Sequence, residues 1–337
     1  MRPAAALALA ALVALPFPRP ARGASLLPSA EELLDRLLLE PDASYEGRVL
    51  VTQWFGKRAR SEELVVRHRA PRLLRREYLS PDGAVERVAV SDGETERILD
   101  PRSGRVVSGD AVGSYEKSLP PERERELLLA NYELTVATGE AVASRPIWML
   151  AFKPRAVGKP WQTLSLDRQT GVLLGVKRYL PGRRLAAASR FIHFDPAQTP
   201  DEALFVLPDS SAPVAAPGLS PDFMSHEQLD LVPGAKGRFP TSLPGGFAFE
   251  SGDSFLVKGH AVRHARYTDG VAAVSLFHAD RPFKLPPGGT VAVPALAGAL
   301  GVTRAGRVFQ WKGASGHYLL LGDVSRSLLE RMSSGLR

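Results

Sequence analysis

The sequence predicts an α+β protein: an antiparallel meander with a few helices, followed by a smaller α+β domain. Three observations predict it. Apolar and polar residues alternate with a period of two from Tyr45 to Thr52, as in a half-buried strand. Turn signals recur at short intervals: Pro81-Asp82-Gly83, Asp92-Gly93, Asp100-Pro101-Arg102-Ser103-Gly104 and Asp167-Arg168-Gln169-Thr170-Gly171. Such sequences suit hairpins, because glycine takes positive φ at low cost. Finally, 28 Pro and 30 Gly in 337 residues interrupt regular structure too often for long helices.

The elements follow in order. Residues 1–23 read as a cleavable signal peptide. Arg2 precedes an apolar run from Ala4 to Leu15, then Pro16, Pro18 and Pro20, and Ala21-Arg22-Gly23 offers small residues for cleavage. The run is too short to span a bilayer. Ser29 and Glu32 fit a capping box, and Leu33, Leu34, Leu37 and Leu38 form one apolar helical stripe. Strand-like runs follow at Glu86–Val90, Ile147–Phe152, Gln162–Leu166 and Val172–Tyr179. A helix interrupts them, opening at Pro121 with Glu122, Glu124 and Glu126 near its positive end.

Residues 24–207 thus form the large domain. Pro208, Pro213, Pro217 and Pro221 mark 208–221 as a linker without periodicity. Residues 222–337 form the small domain. It holds a hairpin of Arg263–Tyr267 and Val271–Phe277 about Thr268-Asp269-Gly270, and a second of Gly306–Trp311 and His317–Leu321. Asp323 is placed to cap a last helix carrying Leu328, Leu329 and Met332.

The chemistry search excludes more than it finds. With no cysteine, the chain has no disulfide, thiolate metal site, cysteine nucleophile or lipidated cysteine. There is no Gly-x-Ser-x-Gly elbow, Walker loop or Gly-x-Gly-x-x-Gly turn, and His226-Glu227 lacks the second histidine of a zinc-protease helix. No catalytic residue, metal site or cofactor is expected. The net charge is +7, and residues 221–337 carry 13 Lys and Arg against 9 Asp and Glu. For an exported chain this favours an acidic protein segment or anionic lipid over nucleic acid. Two basic clusters, Arg72/Arg75/Arg76 and Lys177/Arg178/Arg183/Arg184, read either as solvated strand edges or as contacts to a lipid headgroup or an acidic segment. Trp54, Phe55, Tyr78, Tyr132, Trp148, Phe152, Trp161 and Tyr179 all fall in the strand-rich half. They either fill a solid core or line a cavity for an apolar ligand.

The order of short motifs across both domains resembles the RseB/MucB family of periplasmic regulators of the sigma-E envelope-stress response. It runs from Tyr45-Glu46-Gly47-Arg48-Val49 through Arg72–Tyr78, Val90-Ser91-Asp92-Gly93, Asn131-Tyr132-Glu133-Leu134 and Arg145-Pro146-Ile147-Trp148 to Leu164-Ser165-Leu166-Asp167. In the small domain it continues with Leu243-Pro244-Gly245-Gly246-Phe247, Tyr267-Thr268-Asp269-Gly270-Val271 and Gly322-Asp323-Val324. The resemblance covers about residues 25–335. It implies a LolA/LolB-like half-barrel with helices on its concave face and a lipid cleft. It also implies a partner, the periplasmic segment of a single-span membrane anti-sigma factor, which binding shields from proteolysis until lipid or lipopolysaccharide releases it. On this reading the eight aromatics line the cleft, and Arg263, Arg266, Tyr267 and Asp269 lie at the partner surface. A periplasmic lipid or lipoprotein carrier is the alternative.

Overall fold

The computed structural model describes residues 27–39, 42–56, 58–110, 119–208, 214–215, 223–232, 238–284, 291–293, 298–303 and 306–336. The expected signal peptide and most of the expected linker lie outside them. Among the described residues no helix is long and apolar enough to cross a membrane.

Helix α1 (Ala30–Leu38) starts as its sequence dictates. Ser29 accepts from the Glu32 N–H, and the Glu32 carboxylate accepts from the Ser29 N–H. Six strands then run up and down: β1 (Tyr45–Phe55), β2 (Arg58–Arg69), β3 (Leu73–Leu79), β4 (Val85–Ser91), β5 (Thr95–Asp100) and β6 (Arg105–Asp110). Helix α2 (Pro121–Asn131), with proline at its first position, leads to β7 (Tyr132–Thr138), β8 (Ile147–Pro154), β9 (Trp161–Asp167), β10 (Leu173–Leu180) and β11 (Arg184–Asp195).

These are two meanders, and β1 joins them by pairing with β11, Val49 opposite Phe191 and Val51 opposite Ser189. The result is one 12-stranded sheet curled into an open half-barrel. Leu33 and Leu34 of α1 and Leu128 of α2 pack on Leu150, Phe152, Leu164 and Leu166, so the helices cover the β7–β10 part of one face. The apolar stripe of α1 thereby finds the surface its sequence calls for.

The proline-rich stretch is not wholly irregular. Val214–Ala215 forms β12, which pairs in parallel with β6 and closes the open edge of the sheet. An edge strand this short needs only two ladder positions, and proline is tolerated beside it.

The second sheet has eight strands: β13 (Ser242–Leu243), β14 (Phe247–Val257), β15 (His260–Thr268), β16 (Ala273–Ala279), β17 (Val291–Val293), β18 (Gly298–Thr303), β19 (Gly306–Gly313) and β20 (Gly316–Gly322). Both expected hairpins are present. Helix α4 (Arg326–Ser334) buries Leu328, Leu329 and Met332 on this sheet, against Phe247, Tyr267, Leu276 and Phe309.

One sequence expectation is corrected here. The cap of α4 is Ser325, whose hydroxyl accepts from the Leu328 N–H at 3.2 Å. Asp323 lies two residues too early and pairs with Arg178 instead, at 3.3 Å. A short helix, α3 (His226–Asp230), also went unread. Its capping box of Ser225 and Gln228 is visible in the sequence, but five residues carry too little periodicity to announce it.

Candidate partner-binding cleft at the junction of the two sheets

The two sheets meet on a buried polar cluster. Asn131 ends α2 and Tyr132 opens β7, so a helix-to-strand junction delivers adjacent side chains to one place. Lys159 comes from the connection between β8 and β9. From the second sheet come Asp269, in the β15–β16 turn, and Gly246, in the β13–β14 turn.

Lys159 Nζ lies 3.0 Å from Asp269 Oδ2 with both side chains fully buried. Lys159 also donates to Asn131 Oδ1 at 2.9 Å. Tyr132 donates its hydroxyl to the Asp269 carboxylate at 2.9 Å. Asn131 Nδ2 donates to the carbonyl oxygens of Leu127, Gly246 and Asp269 at 2.9, 3.0 and 3.3 Å. Asp269 Oδ1 further accepts from the N–H groups of Val271 and Ala272 at 3.0 and 2.7 Å. The carboxylate is thus satisfied from both sheets, the condition under which a buried charge is tolerated. Burial, with the Asp269 charge beside it, drives the Tyr132 phenol far above its ordinary value. Tyr132 therefore keeps its proton and donates it in a hydrogen bond to the carboxylate.

Two further contacts extend the junction. The Ser325 N–H donates to the Gly158 carbonyl at 2.7 Å, and Arg178 of β10 reaches Asp323. Beside them opens a cleft of about 310 Å³, lined by Arg178 and Asp323 and, from the β15–β16 hairpin, by Arg266, Thr268, Val271 and Ser275. Arg266 donates to Glu250 at 2.6 Å. Arg178 Nε is buried and has no acceptor. The cleft therefore carries two partly exposed guanidinium groups, each already paired with a carboxylate, and only their remaining exposed N–H groups are open to an acidic or carbonyl-rich segment.

The structure separates the four expected partner contacts. Arg266 lines the cleft, but the other three are interior. Asp269 and Tyr267 have no exposed surface, and Arg263 is 3% exposed. Asp269 holds the junction. The Tyr267 hydroxyl donates to the Pro240 carbonyl at 2.8 Å. Arg263 lies over the Phe239 ring, donates to the Leu229 carbonyl at the end of α3, and donates to His278 Nδ1. A side chain without accessible surface cannot touch a docked partner, so these three belong to the scaffold.

The aromatic set is likewise divided among several clusters of the described residues. Tyr132 and Phe152 are buried with the helix leucines, and Trp148 packs at their margin beneath Arg168. Tyr78 belongs to a second cluster with Leu64 and Val66 and carries Arg87 3.7 Å above its ring. Trp161 and Tyr179 face each other at 4.8 Å where β9 and β10 pair, and Trp54 and Phe55 end β1. A second cavity, of about 400 Å³, lies between α1 and the β9–β10 turn, lined by Leu37, Leu39, Tyr45, Val172 and Leu173. None of the eight aromatics lines either cavity. Sequence reading missed Lys159, and took Asn131 only as part of the Asn131-Tyr132-Glu133-Leu134 motif. A lone lysine between two strands resembles any surface polar residue.

These features define a class: a two-sheet α+β protein, half-barrel first, whose sheets are joined by a buried ionic cluster and flank a basic cleft. Known structures share the two-sheet fold. No family model and no curated protein matches the chain. The crystal structure of MucB in complex with MucA(peri) is similar over 90% of this chain and 97% of that chain, at 20% identity and a TM-score of 0.59. The Pseudomonas aeruginosa MucA/MucB complex is similar over 90% and 96%, at 20% identity and a TM-score of 0.57. MucB alone gives 22% identity over 90% and 96%, with a TM-score of 0.50. The chain has the fold of MucB through both of its sheets.

Proposed function

We propose that this protein is an RseB/MucB-type regulator: an exported, non-enzymatic binding protein that captures the periplasmic segment of a membrane anti-sigma factor and shields it from proteolysis. The observation that carries the reading is the MucB fold, which runs through both sheets over nine-tenths of the chain, and not through the half-barrel alone. A simple carrier needs only the half-barrel. The cleft at the junction supplies the binding chemistry, with Arg178 and Arg266 as cationic contacts. Residues 24–207 and 222–337 act as the two domains, and lipid entering the half-barrel relieves the shielding.

The test is isothermal titration of the mature protein with the periplasmic segment of the single-span anti-sigma protein recovered by pull-down from its own envelope. The expected result is saturable binding that Arg178→Glu weakens at least tenfold, as loss of a charge-assisted contact should. Recovery of many acylated lipoproteins instead, with no single-span partner, would favour the carrier.

A further inference from the structure

One end of the half-barrel carries a surface that neither cleft nor core uses. The β1–β2 and β10–β11 hairpins reverse at the same end of adjacent strand pairs. Gln53 lies opposite Ala187, Phe55 opposite Arg58 and Leu180 opposite Arg184. Trp161 opens β9 opposite Tyr179, beside the second hairpin. The rim so formed is aromatic and basic. Phe55 is 41% exposed, an unusual position for a phenylalanine at a hairpin tip. Arg58, Arg60, Arg183 and Arg184 are all exposed. Arg58, Arg183 and Arg184 make no ion pair among the described residues, and Arg60 has only Glu62 at 4.0 Å. Arg183 lies over the Trp161 ring at 5.1 Å.

Lower on the same sheet arginines are neutralised by nearby carboxylates, as in the Glu46–Arg67–Glu77–Arg75 chain. At the rim they are left open beside exposed aromatic surface. Arginine matches phosphate geometry, and aromatic rings settle at the level of lipid headgroups. We propose that this rim docks the protein on an anionic phospholipid surface, with Phe55 inserting and Arg58, Arg183 and Arg184 contacting headgroup phosphates. The proposal does not depend on the anti-sigma reading.

The experiment is co-sedimentation of the mature protein with unilamellar vesicles of phosphatidylcholine, alone or with phosphatidylglycerol as one-third of the lipid, at low and high salt. Binding is expected only with phosphatidylglycerol, falling as salt rises. Each headgroup-facing arginine contributes about fivefold, so Arg58→Gln/Arg183→Gln/Arg184→Gln should lose roughly a hundredfold in apparent affinity. Phe55→Ser should lose several-fold yet keep the salt slope. The charge-matched Arg36→Gln/Arg190→Gln/Arg331→Gln, at exposed sites away from these tips, should bind as the parent does, and circular dichroism should show all variants folded. The proposal is overturned by equal binding to phosphatidylcholine alone, by an unaffected rim variant, or by an equal loss in the charge-matched control. Retention on heparin without vesicle binding would also overturn it, assigning the rim to a soluble polyanion.

Discussion

Lys159 and Asp269 form a fully buried ion pair at 3.0 Å, and they come from different sheets. Breaking it from one side strands a charge in the interior. Lys159→Met alone and Asp269→Asn alone should each destabilise the protein by about 3–5 kcal/mol. The double variant should lose less than the sum, because neither charge is then left unpaired. Urea denaturation of the four proteins gives the coupling directly. Additive losses would show that the pair does not join the sheets energetically.

Gly246 holds the same junction through its backbone. It sits at φ +81°, and a Cβ there would fall 2.0 Å from Asn131 Oδ1. Gly246→Ala combines a disfavoured conformation with a clash against a buried amide, so a loss of roughly 2–3 kcal/mol is expected. Gly104 also has positive φ, +68°, but a Cβ there would meet nothing. Gly104→Ala should therefore cost no more than about 1–2 kcal/mol, for conformation alone. Thermal unfolding of the two variants separates contact from conformation.

Asp167 ties the β9–β10 turn to β8. Arg145 donates to both its oxygens at 2.9 Å, and Thr170 donates through N–H and hydroxyl, also at 2.9 Å. Burial pushes the carboxyl up, but the Arg145 and Thr170 hydrogen bonds outweigh it and hold the group below its ordinary value. A depressed folded value means stability that is present above the unfolded value, near 3.8, and is lost as pH falls through the folded one. Asp167→Asn should cost about 2–3 kcal/mol at neutral pH and flatten the acid limb of the stability curve below about pH 4. An unchanged acid limb would show that Asp167 does not titrate with unfolding.

His278 gives the second pH handle. Arg263 donates to its Nδ1 at 3.3 Å, so Nε2 carries the proton and donates to the Ser315 carbonyl at 3.2 Å. Burial lowers its proton affinity. The Ser315 bond opposes this, while Arg263 and, more weakly, His317 add to it against Asp280. The neutral ring is the folded form, so its contribution is complete above about pH 6.5 and is lost as pH falls below. His278→Gln should reduce the stability difference between pH 7.5 and pH 5.5. Denaturant midpoints at the two pH values measure it, and an undiminished difference would assign the effect to other histidines.

Local structure was largely legible. The Ser29/Glu32 capping box, the proline opening α2, and the Gly-terminated turns each act within a few residues, and each forms as the sequence indicates. The turn Tyr267-Thr268-Asp269-Gly270-Val271 is the instructive case. Its turn geometry could be read, because Asp269 and Thr268 bond to their own turn's N–H groups. Its role could not, because Lys159 and Tyr132 lie more than a hundred residues away.

The sequence by itself determined the strand periodicity, the turns, the starts of α1 and α2, and the absence of cysteine chemistry. Those follow from propensity, periodicity and composition, which are local. Only the tertiary structure decided that β1 joins the two meanders through β11, that Arg263, Tyr267 and Asp269 are interior, and that the aromatics scatter over core, margin and rim. Burial depends on which distant segments meet, and a charged or aromatic residue carries the same local signature whether it faces water or another sheet.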